Sequence, residues 1–311
     1  MDAKLIQKYN IPGPRYTSYP TVPYWDADSF DPAIWKETLA GSASRHRKEG
    51  ISLYIHLPFC ERLCTFCGCI KRITKNHQVE EPYIDTLLAE WQLYLDLLGF
   101  RPNLREIHLG GGTPTFFQPD NLNRLLSEIL AGSDSDGIEI SFEGHPNNTT
   151  GEHLQILYNL GARRVSFGVQ DYNPVVQKAI NRIQPFENVK KVHELSKEIG
   201  YQSISHDLVF GLPHQNEEGI TDTIEKTLEL MPDRISFYSY AHVPWLKGIG
   251  QRGFDENDLP KDAEKRKLYE LGKNMFFDHN YHEIGMDHFA LEKDDLYQAM
   301  ARQKLHRNFM G

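Results

Sequence analysis

The 311-residue chain reads as an α/β protein in which six parallel strands alternate with helices and curl toward a partial (β/α)6 barrel. Three observations predict this. Short β-rich runs alternate with helix-period stretches from residue 51 onward. The strand runs end in glycine or polar residues, the pattern of a barrel whose chemistry sits at the strand C-termini. No short fixed repeat or low-complexity segment points to a solenoid or an array instead.

SLYIHL (52–57) is read as a buried strand that feeds a cysteine-rich loop. A helix fits 81–98, where Tyr83, Leu87, Leu88, Trp91 and Leu95 form an apolar stripe. REIHLGGG (105–112) is a strand closed by three glycines, and Pro-Asp-Asn opens a helix from Pro119 to Leu130. GIEISFEG (137–144) is the third strand, with a helix near 150–160, and RRVSFGVQ (163–170) is the fourth, with helical segments to about 199. SISHDLVFGLP (203–213) and a helix near 217–230 make the fifth unit, and RISFYSY (234–240) is the sixth strand.

Three regions follow: an N-terminal arm (1–50), the barrel (51–245) and the start of a C-terminal extension (246–311). The arm carries NIPGPRYTSYPTVPYW and reads as an ordered loop rather than a strand or helix. The extension reads as one helix (261–278), a seventh strand near YHEIGMDHFA and no terminal helix.

All four cysteines, Cys60, Cys64, Cys67 and Cys69, lie within ten residues, so no distant partner exists for a disulfide framework. The first three follow a C-x3-C-x2-C spacing, which suits a loop around one iron–sulfur cluster with three of its irons bound. A fourth iron without a protein ligand is an open, reactive position, unlike the four-thiolate sites that carry electrons. A structural zinc is the alternative, although zinc sites usually split their ligands into two separated pairs.

Composition narrows the classes. A 40% hydrophobic and 25% charged chain is ordinary for a globular protein, and a net charge of −9 argues against a general nucleic-acid binder. No apolar run reaches the ~20 residues of a membrane span, and MDAKLIQKYN lacks the apolar core of a signal peptide. Cluster thiolates suit a reducing compartment, so the cytoplasm is the expectation.

The motifs GPRYTSYPT, YIHLPFC with the following cysteines, GGGTPT, FGVQD, DLVFGLP, YAHVP and GMDHFA together resemble the oxygen-independent coproporphyrinogen III oxidase family of the radical S-adenosylmethionine superfamily. The resemblance implies a radical S-adenosylmethionine barrel and a [4Fe–4S] cluster on Cys60, Cys64 and Cys67, whose open iron chelates S-adenosylmethionine. It implies oxidative decarboxylation of two propionates of coproporphyrinogen III to vinyl groups, through a 5′-deoxyadenosyl radical, giving protoporphyrinogen IX. Tyr54, Phe66, Gly111, Gly112, Thr113 and Glu143 match residues around the first S-adenosylmethionine. Gln170, Arg182, Asp207 and Ala241 match the lining of a second, with Arg182 suited to its carboxylate.

Cys69 matches a loop cysteine that is not a cluster ligand and, with Tyr54 and Arg15, completes the catalytic candidates. Arg15 in the arm is the first candidate for a substrate propionate, with His306 and Arg307 behind it. A reduced flavodoxin or ferredoxin is the implied electron donor, and a monomer is the expectation. Related haem-trafficking proteins share the barrel, but carry an aromatic residue in place of Cys69 and lack the PRYTSYPT arm. A haem-binding role or an inactive fragment is the alternative reading. The chain departs from the family where Gly144-His145 replaces Val-Asp, and family members continue past LHRNF into a mostly helical domain.

Overall fold

The structure, a computed structural model, describes residues 5, 8, 24–26, 28–244, 250–251 and 253–305. Helix α1 (Pro32–Arg45) precedes strand β1 (Ile51–Leu57), which enters the cysteine loop. Two short parallel strands, β2 (Phe59–Cys60) and β3 (Arg72–Ile73), pinch the base of that loop. Then come α2 (Glu80–Leu98), β4 (Leu104–Gly111), α3 (Pro119–Ala131), β5 (Glu139–Gly144), α4 (Gly151–Asn159) and β6 (Ala162–Gln170). They are followed by α5 (Pro174–Ala179), α6 (Phe186–Ile199), β7 (Ser203–Phe210), α7 (Glu217–Leu230) and β8 (Arg234–Ser239). The described chain ends with α8 (Asp262–Asp278), β9 (Tyr281–Gly285), β10 (His288–Leu291) and α9 (Asp295–Ala301).

One eight-stranded sheet has the order β1-β4-β5-β6-β7-β8-β10-β9. The first six strands are parallel neighbours, and β10 pairs antiparallel with both β8 and β9. This is the expected α/β architecture of six βα units.

The two faces of the sheet differ. Leu109, Phe142, Phe167, Leu208 and Phe237 are fully buried and point toward the helices. Each such side chain contributes roughly 2–3 kcal/mol of burial free energy. Their strand neighbours, His108, Ser141, Ser166, Asp207 and Ser236, are polar and line the other face, with His108 opposite Ser141 and Asp207 opposite Ser236. Helices cover one face, while the concave one is left for a ligand.

Four expectations need correction. β1 is not buried on both sides, because Tyr54 faces the concavity and is 51% exposed. The arm is not loop throughout. Asp31 caps α1 by accepting from the Ala33 N–H at 2.7 Å, Pro32 opens the first turn, and Trp35 meets Tyr94 edge-on. The single seventh strand is a hairpin of β9 and β10, because Met286 and Asp287 adopt positive φ and turn the chain. A short helix, α9, follows it, capped by Asp294.

Candidate active site at the strand C-termini

Each parallel strand delivers polar groups to the same end of the sheet. β1 places Tyr54 and His56 two residues apart on the concave face, where the Tyr54 hydroxyl and His56 Nδ1 lie 3.0 Å apart. The other ring nitrogen of His56 lies 2.9 Å from the Ile70 carbonyl, tying β1 to the far side of the cysteine loop. Burial first, and the Glu143 carboxylate second, raise the Tyr54 phenol to about 12, so it is neutral.

The cysteine loop is held at its base and on its flank. Arg72 N–H donates to the Pro58 carbonyl and Thr74 N–H to the Cys60 carbonyl, closing the β2–β3 pair. Thr65 N–H donates to the Ile180 carbonyl and its hydroxyl to the Ala179 carbonyl, both at 3.0 Å, so the turn after α5 carries the loop. Asn181 Nδ2 adds a 2.8 Å bond to the Leu63 carbonyl.

Cys60 and Cys67 differ electrostatically. Cys67 is pulled down to about 6, first by the Cys69 thiol acting against burial, with the Cys69 N–H, Lys71 and Arg182 adding smaller contributions. The Cys69 N–H lies 3.4 Å from Cys67 Sγ, and Lys71 Nζ crosses to the Cys67 and Cys69 carbonyls. Burial raises Cys60, offset in part by the Thr113 hydroxyl at 3.4 Å. Arg182 Nη1 lies 3.7 Å from Cys64 Sγ. At Cys67 the donors and cations turned toward sulfur favour the thiolate, the form a metal centre needs, whereas burial works against it at Cys60. Among the described residues, no three His, Cys, Asp or Glu side chains converge to hold a single ion.

The glycine run supplies close backbone approach. A Cβ on Gly112 would lie 2.5 Å from the Pro58 carbonyl oxygen, so only glycine lets β4 pass the start of the cysteine loop. Gly112 and Thr113 donate to the Leu57 and Phe59 carbonyls at 2.9 and 3.0 Å. Gly111, at φ +120°, donates to Glu143 Oε2 at 3.3 Å. Glu143 also faces His108 Nε2 at 3.5 Å, and its carboxylate stands half-exposed at the end of β5. An acid beside a glycine backbone and three thiols is a fitting cradle for an amino group on a cluster-bound ligand.

A second group gathers on β6 and β7. A Cβ on Gly168 would meet Gln170 Nε2 at 2.7 Å and Arg182 Nη2 at 2.9 Å, so both side chains use the space above that glycine. Gln170 is held at φ +70°, strained for a residue with a side chain. Arg182 Nη2 donates to the Gly168 carbonyl at 2.6 Å, while its buried Nε has no partner among the described residues. Asp207 accepts from the Ser166 hydroxyl at 2.6 Å, and burial raises its carboxyl above the usual range. His145 is driven low, first by burial and then by Arg182, and its Nδ1 accepts from Asn147 N–H at 3.1 Å. A neutral imidazole therefore stands where an added cation would repel Arg182.

The sequence-derived candidates are thus brought to one end of the sheet, with three exceptions. Arg15, His306 and Arg307 lie outside the described residues. Ala241 is exposed, and its place is set through its carbonyl, which accepts from Gln251 at 2.9 Å. Gln251, His56 and His108 were missed by sequence reasoning. The polar alternation along β1 and β4 could have flagged the two histidines; Gln251 lies in an irregular segment without periodicity.

The fold and this loop define a radical SAM protein, and the radical SAM superfamily matches residues 54–227. Oxygen-independent coproporphyrinogen III oxidase from Helicobacter pylori is 40% identical over 314 aligned residues, covering 100% of this chain and 68% of that protein. Anaerobic coproporphyrinogen III oxidase 1 from Cereibacter sphaeroides is 38% identical, covering 96% of this chain and 65% of its own. The solved coproporphyrinogen III oxidase (HemN) from Escherichia coli, described as a radical SAM enzyme, superposes with a TM-score of 0.89 at 35% identity. That match covers 99% of this chain and 68% of the solved one. The chain belongs to the oxygen-independent coproporphyrinogen III oxidase family.

Proposed function

We propose that this protein decarboxylates two propionate side chains of coproporphyrinogen III to vinyl groups without oxygen, giving protoporphyrinogen IX. The observation that supports it best is the meeting of the three-cysteine loop, the Gly111–Gly112 backbone and Glu143 at one end of a radical SAM sheet. Cys60, Cys64 and Cys67 would hold the [4Fe–4S] cluster. When bound, the cluster and S-adenosylmethionine supply a 5′-deoxyadenosyl radical that takes one hydrogen atom from the propionate. Each propionate, short of that hydrogen atom, would then release CO2 and pass one electron to an external one-electron acceptor, leaving the vinyl group.

The chain's own groups orient the reactants. Glu143 would accept from the ligand's amino group, with the Gly112–Thr113 backbone beside the methionine portion and Phe66 beside adenine. Tyr54, kept neutral, packs on the sulfur side without adding charge. Gln170, Arg182, Asp207 and Ala241 would line a second S-adenosylmethionine, with the Arg182 guanidinium toward its carboxylate and Asp207 toward hydroxyls. Cys69 stays off the cluster and is available to a substrate, and Arg15 would meet a propionate.

The electron donor in this reading is a reduced flavodoxin or ferredoxin. The protein works as a monomer in the cytoplasm, where exposed thiols such as Cys69 stay reduced. Among the described residues, no helix is long and apolar enough to cross a membrane. The region 1–50 serves as substrate arm, 51–245 as the catalytic barrel and 246–311 as a segment that follows the barrel.

Anaerobic reconstitution with iron and sulfide, followed by dithionite, S-adenosylmethionine and coproporphyrinogen III, tests the reading. Formation of both 5′-deoxyadenosine and protoporphyrinogen IX is expected. Absence of both in cluster-loaded protein refutes it.

A further inference from the structure

Gln251 lies outside the strands and helices and is 3% exposed. Its carboxamide makes three bonds, all to main chain. Nε2 donates to the Phe66 carbonyl at 3.1 Å and to the Ala241 carbonyl at 2.9 Å, and Oε1 accepts from Val243 N–H at 2.6 Å. One side chain therefore joins the cysteine loop to the segment leaving β8, two stretches 175 residues apart (241 minus 66).

Its neighbours press on the same loop. A Cβ on Gly250 would lie 3.0 Å from Leu63 Cδ2 and 3.2 Å from Thr65 Cα, and one on Gly253 would lie 2.9 Å from Thr65 Cγ2. The loop's opposite flank rests on Ala179, Ile180 and Asn181. Without the Gln251 bonds the loop keeps that flank and loses its polar tie to β8.

We propose that Gln251 is a positioning residue of the active site. It sets the spacing between Phe66 and Ala241 and so the width of the slot that receives an adenosyl ligand; the identity of that ligand rests on the proposed function. The chemistry requires an amide, since two carbonyls need donors and one N–H needs an acceptor on a single planar head. Glutamate has the same shape, but would turn a carboxylate toward both carbonyls.

The test uses the full chain with its cluster reconstituted anaerobically, as wild type, Gln251→Glu and Gly253→Ala. S-Adenosylmethionine Kd is read by calorimetry, and amide hydrogen exchange over 61–70 by mass spectrometry. Gln251→Glu is expected to keep its iron, weaken Kd by about tenfold or more, and speed exchange across the loop. A Kd within about twofold of wild type, with or without a lower melting temperature, assigns Gln251 to stability alone and overturns the proposal. Should Gln251→Glu fail to hold the cluster, Gly253→Ala decides, because its new methyl would meet Thr65 Cγ2 at 2.9 Å and push the Gln251 segment off the cysteine loop. A weaker Kd then supports the proposal and an unchanged one overturns it. Failure of the wild type to bind S-adenosylmethionine would refute the functional reading, whereas exchange over 61–70 would still show whether Gln251 clamps the loop.

Discussion

Acid should loosen this protein at a point remote from the strand ends. His193 on α6 and His206 on β7 are 1% and 0% exposed, and their rings meet at 3.1 Å through Nδ1 and Nε2. His206 Nδ1 has no partner among the described residues. Burial, then Lys197, lowers His193 to about 4, with Asp233 and Lys293 also acting on it. Burial, then His193 itself, drives His206 well below the ordinary imidazole range. Both rings are neutral when folded and take up protons on unfolding below about pH 6.5. Stability from His193 is therefore intact above that pH and is lost as pH falls, levelling off below about 4. Linkage for His193 alone gives a loss of about 2 kcal/mol between pH 7 and pH 5, approaching roughly 3 kcal/mol near pH 4. Urea unfolding followed by far-ultraviolet circular dichroism at pH 7, 6 and 5 would measure it. His193→Gln removes this titration but keeps the carboxylates and thiols common to both proteins. Wild type should lose about 2 kcal/mol more than the variant over that range. Equal losses in both would refute the reasoning.

Four other outcomes are expected. Serine at Cys60, Cys64 or Cys67 should abolish cluster-bound iron, whereas Cys69→Ser should retain it and lose porphyrin formation; iron analysis and product assay separate the two classes. Gly112→Ala places a methyl 2.5 Å from the Pro58 carbonyl oxygen, so S-adenosylmethionine Kd, read by calorimetry, should weaken by about tenfold or more. Phe167→Ala, in a fully buried position between sheet and helices, should cost roughly 3–5 kcal/mol in urea unfolding. Arg62, Arg72 and Lys75 stand exposed beside the cysteine loop with no ion pair among the described residues, on a chain of net charge −9. Reversing all three to glutamate should slow turnover driven by reduced flavodoxin and leave dithionite-driven turnover unchanged; equal slowing would refute docking of an acidic donor there.

Local pattern determined a large share of this protein. Alternating β-rich and helix-period runs encode the six βα units, because burying one face of a strand or helix imposes periods that can be read without coordinates. The spacing of Cys60, Cys64 and Cys67 encodes the metal loop, because a short loop's reach depends only on residue count. Glu143 and Gln170 were legible as polar ends of apolar strands, whereas Asp207, read the same way, lies inside β7 with Leu208, Val209 and Phe210 still to follow. Helix α1 and the β9–β10 hairpin were less so, the first masked by the proline-rich run before it and the second by a turn made with Met286 and Asp287 rather than glycine. Tertiary structure alone decided which distant groups meet: His193 with His206 in the helix-side core, Gly168 making room for Gln170 and Arg182, and Gln251 with Phe66 and Ala241. Those contacts depend on the curvature of the sheet and the path of the connecting segments. Neither leaves a period in the chain, since each bond joins residues whose separation is set by everything folded between them.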